Sequence, residues 1–320
     1  MARLSQERLA HVAFLYYVQG MSQADVARAL NVTRSNVSRM LTSAREQSIV
    51  RFEITYPLDR DPLTEKLLLA RFEAEGLRDV IVVPNHETGV GRESHALLSV
   101  GRAACAWLDA NLSAGQVLGL CWGTTIESMV ASAHFSRHID VEVVQIAGEL
   151  SIDSRFSGHD LVRRLAEKIG GSYRYFNAPA ATPDEATAIA LANSPLVAQA
   201  LTAAKSSNVA VLGIGEYGSG SSDLFLHRAG ASAEEIREAT EAGAVGQMSG
   251  RFYNSTGQQI DLSINRRILS LDLAEVRNVE TVVAVVSGAH KAKATRAAIA
   301  GGLVNVLVVD ESLSQALLSL

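Results

Sequence analysis

Two sets of side chains in this sequence have types and spacings that could do chemistry. The first sits at the ends of apolar runs. Gly123-Thr124-Thr125 supplies backbone amides and two hydroxyls at a helix start, where the helix dipole adds a positive end. That is a cradle for an anion, although Gly-Thr-Thr is also simply a good helix start. Gly288 closes another run, and Lys291 falls in the first turn of the helix after it. A cation there opposes the dipole, so a bound phosphate or carboxylate would account for it; a solvated lysine is the alternative. Gly148, Gly213 and Gly215 end two further runs, either lining a cleft or merely turning the chain.

The second set lies in residues 21–41, MSQADVARALNVTRSNVSRML. Ser22 caps a short helix whose apolar positions are Val26, Ala27 and Leu30. Asn31-Val32 breaks it, and Thr33 caps a second helix with Val37, Met40 and Leu41 on one face. Arg34, Ser35, Asn36, Ser38 and Arg39 then point away from the core. With Ser22 and Gln23 at the head of the first helix, these are the parts of a helix-turn-helix. A helix in the major groove must offer donors to base edges and phosphates, and Arg, Asn, Ser and Thr do so. The bland alternative is a solvated helical hairpin. A solvated face normally mixes Glu with Lys, and this one has neither.

Certain elements must hold these residues in place. From about residue 77 the runs DVIVVP, QVLGLCW, VEVVQIAG, NVAVLGIG, ETVVAVVSG and LVNVLVVD alternate with helical stretches. Unbroken Val- and Ile-rich strands are buried on both faces, which means a parallel sheet between helices: an α/β, Rossmann-like body. In such sheets ligands bind beyond the carboxyl ends of the strands, where the first set of residues falls. Ahead of the body, IVRFEITY alternates as a strand would, and PLDRDP breaks the chain. The expected domains are therefore a small all-helical DNA-binding domain, 1–57, and an effector-binding and oligomerisation domain, 58–320.

Charge supports the division. Residues 1–57 hold seven Arg against four acids, so a basic module at +3 precedes a body at −8 within a chain of net −5. That split suits sequence-specific binding to double-stranded DNA, with an acidic body limiting indiscriminate attachment. Cys105 and Cys121 are too few for a disulfide scaffold in 320 residues and are expected as buried free thiols in a reducing compartment. No signal pattern or membrane-length apolar run is visible, so a cytoplasmic protein without a membrane partner is expected. No cofactor and no metal site are expected.

Several of these segments together resemble one family. The helix-turn-helix, WGTT, GAVGQMSGRFYNSTGQQID and GAHKAKATRAAIAGGLVNVLVVDE are similar to those of the SorC/DeoR-type sugar-binding transcriptional regulators, over nearly the whole chain. The resemblance implies a sugar-isomerase-like effector domain in which loops bind and catalysis is lost. It implies Gly123, Thr124 and Thr125 as a phosphate loop, Lys291 as its cationic partner, and Gly148 and Gly213 along the cleft. Where the family has an acid in GAVG(D/E), this chain has Gln247, and Asn254 stands where an Asp is usual. Both amides keep hydrogen bonding and drop the charge. The implied effector is a sugar, polyol or sugar phosphate, acting on a homo-oligomer, dimer or tetramer, at an operator. A sugar-phosphate isomerase or deaminase is the competing expectation. It needs a positioned carboxylate or His, and the candidates are Glu216 and His290, with an amide at 247.

Overall fold

β-Branched residues dominate the apolar runs, and six of the sheet's seven strands are buried on both faces along almost their whole length. The chain is seen as a computed structural model that describes residues 6–50, 59–85, 92–150, 157–175, 177–218 and 220–320. It divides into two compact units, Met1–Pro57 and Leu58–Leu320.

In the larger unit the strands are β1 (Asp79–Val83), β2 (Val117–Leu120), β3 (Glu142–Gln145), β4 (Ser172–Arg174), β5 (Val209–Leu212), β6 (Gly215–Glu216), β7 (Gly246–Met248), β8 (Arg251–Tyr253), β9 (Thr281–Val286) and β10 (Val306–Asp310). Seven of them form one sheet in the order β1-β10-β9-β5-β2-β3-β4, parallel throughout. The six apolar runs supply six of these strands. The seventh, β4, reads Ser-Tyr-Arg and is exposed at all three positions, as an edge strand allows. β6, β7 and β8 make a separate antiparallel sheet, whose register sets Gly215 opposite Gln247. From β2 the chain runs outward to β3 and β4, then returns to β5 on the other side of β2 and continues to β9 and β10. The strand order therefore reverses between β2 and β5, and a crevice belongs at that switch point.

The smaller unit buries Leu9, Val12 and Ala13 against Val26, Ala27, Val37, Met40, Leu41 and Ala44. The first helix runs as Gln6–Ala13 and then widens into a π-helical turn, Phe14–Val18. The strand expected at 49–56 falls mostly on residues outside those described. Among the described residues no single helix is long and apolar enough to cross a membrane; Glu185–Ala192 and Pro195–Lys205 meet that test only jointly, bent by 81°.

Candidate functional site

Residues 22–46 take the expected helical hairpin form. Ser22 caps the helix Gln23–Ala29, its Oγ accepting from the Asp25 amide at 3.2 Å and donating to the Asp25 carboxylate at 2.6 Å. Asn31, in the left-handed region at φ 52°, turns the chain. Thr33 caps the helix Arg34–Glu46 by accepting from the Asn36 amide at 3.2 Å. The hydroxyls of Ser22 and Thr33 thus already have intramolecular partners, whereas Arg34, Ser35, Ser38 and Arg39 are exposed. Arg39 donates to the Asn36 side-chain oxygen at 2.5 Å, which fixes Asn36 with its NH2 group left to donate.

In the larger unit the loops after β2, β5 and β9 come together at the switch point. A cavity of about 60 Å³ is lined by Gly123, Thr124 and Thr125 after β2, by Gly213 and Gly215 after β5, and by Gln247 and Lys291. Seven of the eight expected effector-site residues are thereby brought to one place. Gly123 adopts φ 145°, a backbone state that favours glycine, and starts the helix Thr124–Ser132. The amides of Thr124, Thr125 and Ile126 find no acceptor among the described residues, so three donors stand at the positive end of a helix whose first residues line the cavity. Lys291 closes the turn Ala289–Lys291, one position ahead of the helix Ala292–Ala300 rather than inside its first turn. It is half-buried, and its ammonium has no hydrogen bond or ion pair with a described residue. Burial holds its pKa below the ordinary lysine value, while Asp310 and Glu216 pull the other way.

Gly148 is the exception. It is absent from the lining because its backbone packs on Pro179, whose carbonyl oxygen a Cβ would meet at 2.3 Å. Its own carbonyl accepts from Trp122 Nε1 at 2.8 Å, so it positions a wall residue instead of being one. Asn254 is also elsewhere: its side-chain oxygen accepts from Thr256 and Gln258 amides, both at 3.0 Å, and closes the 254–258 turn. Gln247 spends its oxygen on the Gly250 amide at 2.9 Å and keeps its NH2 for the cavity.

Sequence reasoning did not find Trp122, Leu224, Arg228 or Ser249 in the wall. Trp122 stacks on Phe225 at 5.6 Å, and Leu224 and Arg228 share one helix face at i, i+4 spacing. Ser249 is buried, sits at φ 53°, and its hydroxyl neighbours the buried Cys121 thiol, whose pKa it pulls down against burial. Burial pushes the Cys121 thiol up to about 11 and Cys105 up to about 12, so neither is a nucleophile at neutral pH. Among the described residues lining this cavity there is no carboxylate, histidine or thiol, and among all described residues no three metal-ligating side chains assemble. The arrangement sets backbone amides and a lysine side by side, groups that can donate to an anion. It offers no carboxylate or imidazole base to move a proton between sugar carbons.

A helical hairpin unit joined to a parallel-sheet body with a donor-lined switch-point cavity defines a class, and the comparisons agree with it. Residues 57–319 match the family described as "Putative sugar-binding domain", and the chain belongs to that family. It is 30% identical to the transcriptional regulator LsrR of Enterobacter sp. (strain 638), covering all of this chain and 95% of that one. It is 25% identical to the deoxyribonucleoside regulator of Bacillus subtilis, over 100% and 99% of the two chains. The full-length sorbitol operon regulator SorC of Klebsiella pneumoniae has the same fold, with a TM-score of 0.72, 26% identity, and 98% and 99% coverage. The chain is a transcriptional regulator with a sugar-binding domain, in a family of regulators rather than enzymes.

Proposed function

We propose that the protein binds operator DNA through the helix Arg34–Glu46 and is controlled by a phosphorylated sugar or polyol held at the switch-point cavity. The observation that carries this is the pairing, in one cavity wall, of the amides of Thr124, Thr125 and Ile126 with the ammonium of Lys291, none of which has a hydrogen-bond partner among the described residues. Charge-assisted hydrogen bonds to an anion contribute about 1.5–3 kcal/mol each. Two relatives are named for a sorbitol operon and for deoxyribonucleosides, which supports a carbohydrate as the class.

Lys291→Ala is expected to weaken a phosphorylated effector by about 10- to 100-fold and its free sugar hardly at all. Titration calorimetry on both forms checks this; equal affinities, unchanged by the substitution, would mean a neutral ligand. Because the Lys291 pKa is depressed, phosphate affinity falls as pH rises through a value below 10.5, earlier than for a surface lysine.

On the DNA side, Arg34→Ala and Asn36→Ala should each relax base preference by about 1–3 kcal/mol in gel shifts at fixed salt. Undiminished operator binding by both variants would remove the recognition role from this helix. One such helix contacts few bases, so we take the working form to be a homo-oligomer, dimer or tetramer, that reads paired half-sites. A light-scattering mass of one chain in a preparation that binds operator tightly contradicts that.

A further inference from the structure

Beside the 60 Å³ cavity lies a second and much larger space. A cleft of about 590 Å³ shares Thr124, Leu224 and Lys291 with it and is otherwise walled by the loops after β1, β9 and β10, by the first turns of the helix Arg92–Asn111 and by Gly220. The volumes decide what each can hold. At roughly 10–15 Å³ per enclosed water, the inner cavity takes a group the size of a phosphate and no more. The outer cleft falls within the roughly 300–1,000 Å³ of small-molecule sites.

The polar groups divide in the same way. Sugar hydroxyls need acceptors, and the inner wall has no carboxylate among its described residues, while the Gln247 oxygen is already taken by the Gly250 amide. The outer cleft holds two acceptors with no partner among the described residues. Glu93, in the first turn of the helix Arg92–Asn111, makes no ion pair with a described residue. The Asn85 side-chain oxygen is buried and accepts from no described group. The Asn85 backbone is tied down, its amide donating to the Glu311 carboxylate at 3.1 Å. The other acid in that wall, Asp310, is saturated by four donors.

We propose that the effector binds head-in: its phosphate fills the inner cavity, its chain passes Thr124 and Lys291, and its hydroxyls are read in the outer cleft by Asn85 and Glu93. This rests on the anionic-effector reading above and adds the residues that set selectivity among phosphorylated polyols. Gln247 and Asn254 take no part in that selectivity: one lines the phosphate chamber and the other closes a turn.

The test uses the full-length protein with four probes: inorganic phosphate, erythritol 4-phosphate, ribitol 5-phosphate and sorbitol 6-phosphate. At least one polyol phosphate should bind more tightly than inorganic phosphate. In Asn85→Ala and in Glu93→Gln that gain should shrink about five- to tenfold, with inorganic phosphate affinity unchanged. Three results overturn the proposal: no gain from any polyol chain, a gain that survives both substitutions, or a loss that falls equally on inorganic phosphate. If the wild type binds neither inorganic phosphate nor any of the three polyol phosphates, the anionic-effector reading itself has failed, which is a separate and recognisable outcome.

Discussion

Replacing Arg267 with methionine is expected to destabilise the protein by about 3–5 kcal/mol, the cost of breaking one side of a buried ion pair. Arg267 is 6% exposed and forks onto Glu235 at 2.7 and 3.0 Å. Its remaining donors reach the carbonyls of Thr182, Ala229 and Gly230 at 2.7, 2.9 and 3.3 Å. The Ala229 and Gly230 carbonyls directly follow the helix that presents Leu224 and Arg228 to the cavity, so the guanidinium also neutralises the negative end of that helix. Methionine fills a similar volume and leaves three carbonyls without the guanidinium and the Glu235 carboxylate with only its hydrogen bond from the Ser232 amide, at 2.8 Å. Lysine keeps the charge but lacks the fork, so Arg267→Lys should recover only part of the loss. The pH dependence has a definite sign. Hydrogen bonds from Arg267 hold the Glu235 pKa below its ordinary value of 4.5. Glu235 therefore contributes stability above the unfolded value, and that contribution is lost as pH falls through the lower folded value. Guanidinium unfolding between pH 3 and 7 should show a larger acid loss in the wild type than in Arg267→Met, where the Ser232 amide still holds the carboxylate.

The same residue marks where sequence reading stops. Six strands were legible because each is an unbroken β-branched run, a pattern made by burial on both faces. β4 was not, since an edge strand needs no apolar run, and β6 to β8 are two or three residues long, below any periodicity. Thr124 and Lys291 stood out because glycines and a strand end flank them. Arg228, Ser249, Asn85 and Arg267 have no local mark: each matters through what a distant element brings beside it. The error at Gly148 has the same origin. A glycine demanded by close approach to Pro179 looks, in sequence, like one that lines a cleft. At Asn254 an amide that closes a turn looked like one that reads a ligand.

Asp310→Ala is expected to act on stability and on the site together. The carboxylate, 3% exposed, accepts from Ser287 Oγ at 3.1 Å, the Gly288 amide at 3.2 Å, Ser312 Oγ at 3.0 Å and the Leu313 amide at 3.1 Å. It caps the C-terminal helix Glu311–Ser319 and, from the end of β10, holds the start of the turn that leads to Lys291. The two hydroxyls can rotate to other acceptors; the two amides cannot. Each buried amide left open costs about 1–3 kcal/mol, so a total of about 2–6 kcal/mol is expected. Asparagine retains one acceptor oxygen and should cost roughly half of that. The effect on binding has a second cause. Asp310 raises the Lys291 pKa against the pull of burial, so removing it lowers that pKa further and leaves less ammonium at a given pH. Inorganic phosphate should therefore bind Asp310→Asn more weakly than the wild type, with the deficit growing as pH rises toward the ordinary lysine value of 10.5. A deficit that stays constant over that range would mean that Asp310 acts only by fixing the turn, and that its charge does not reach the lysine.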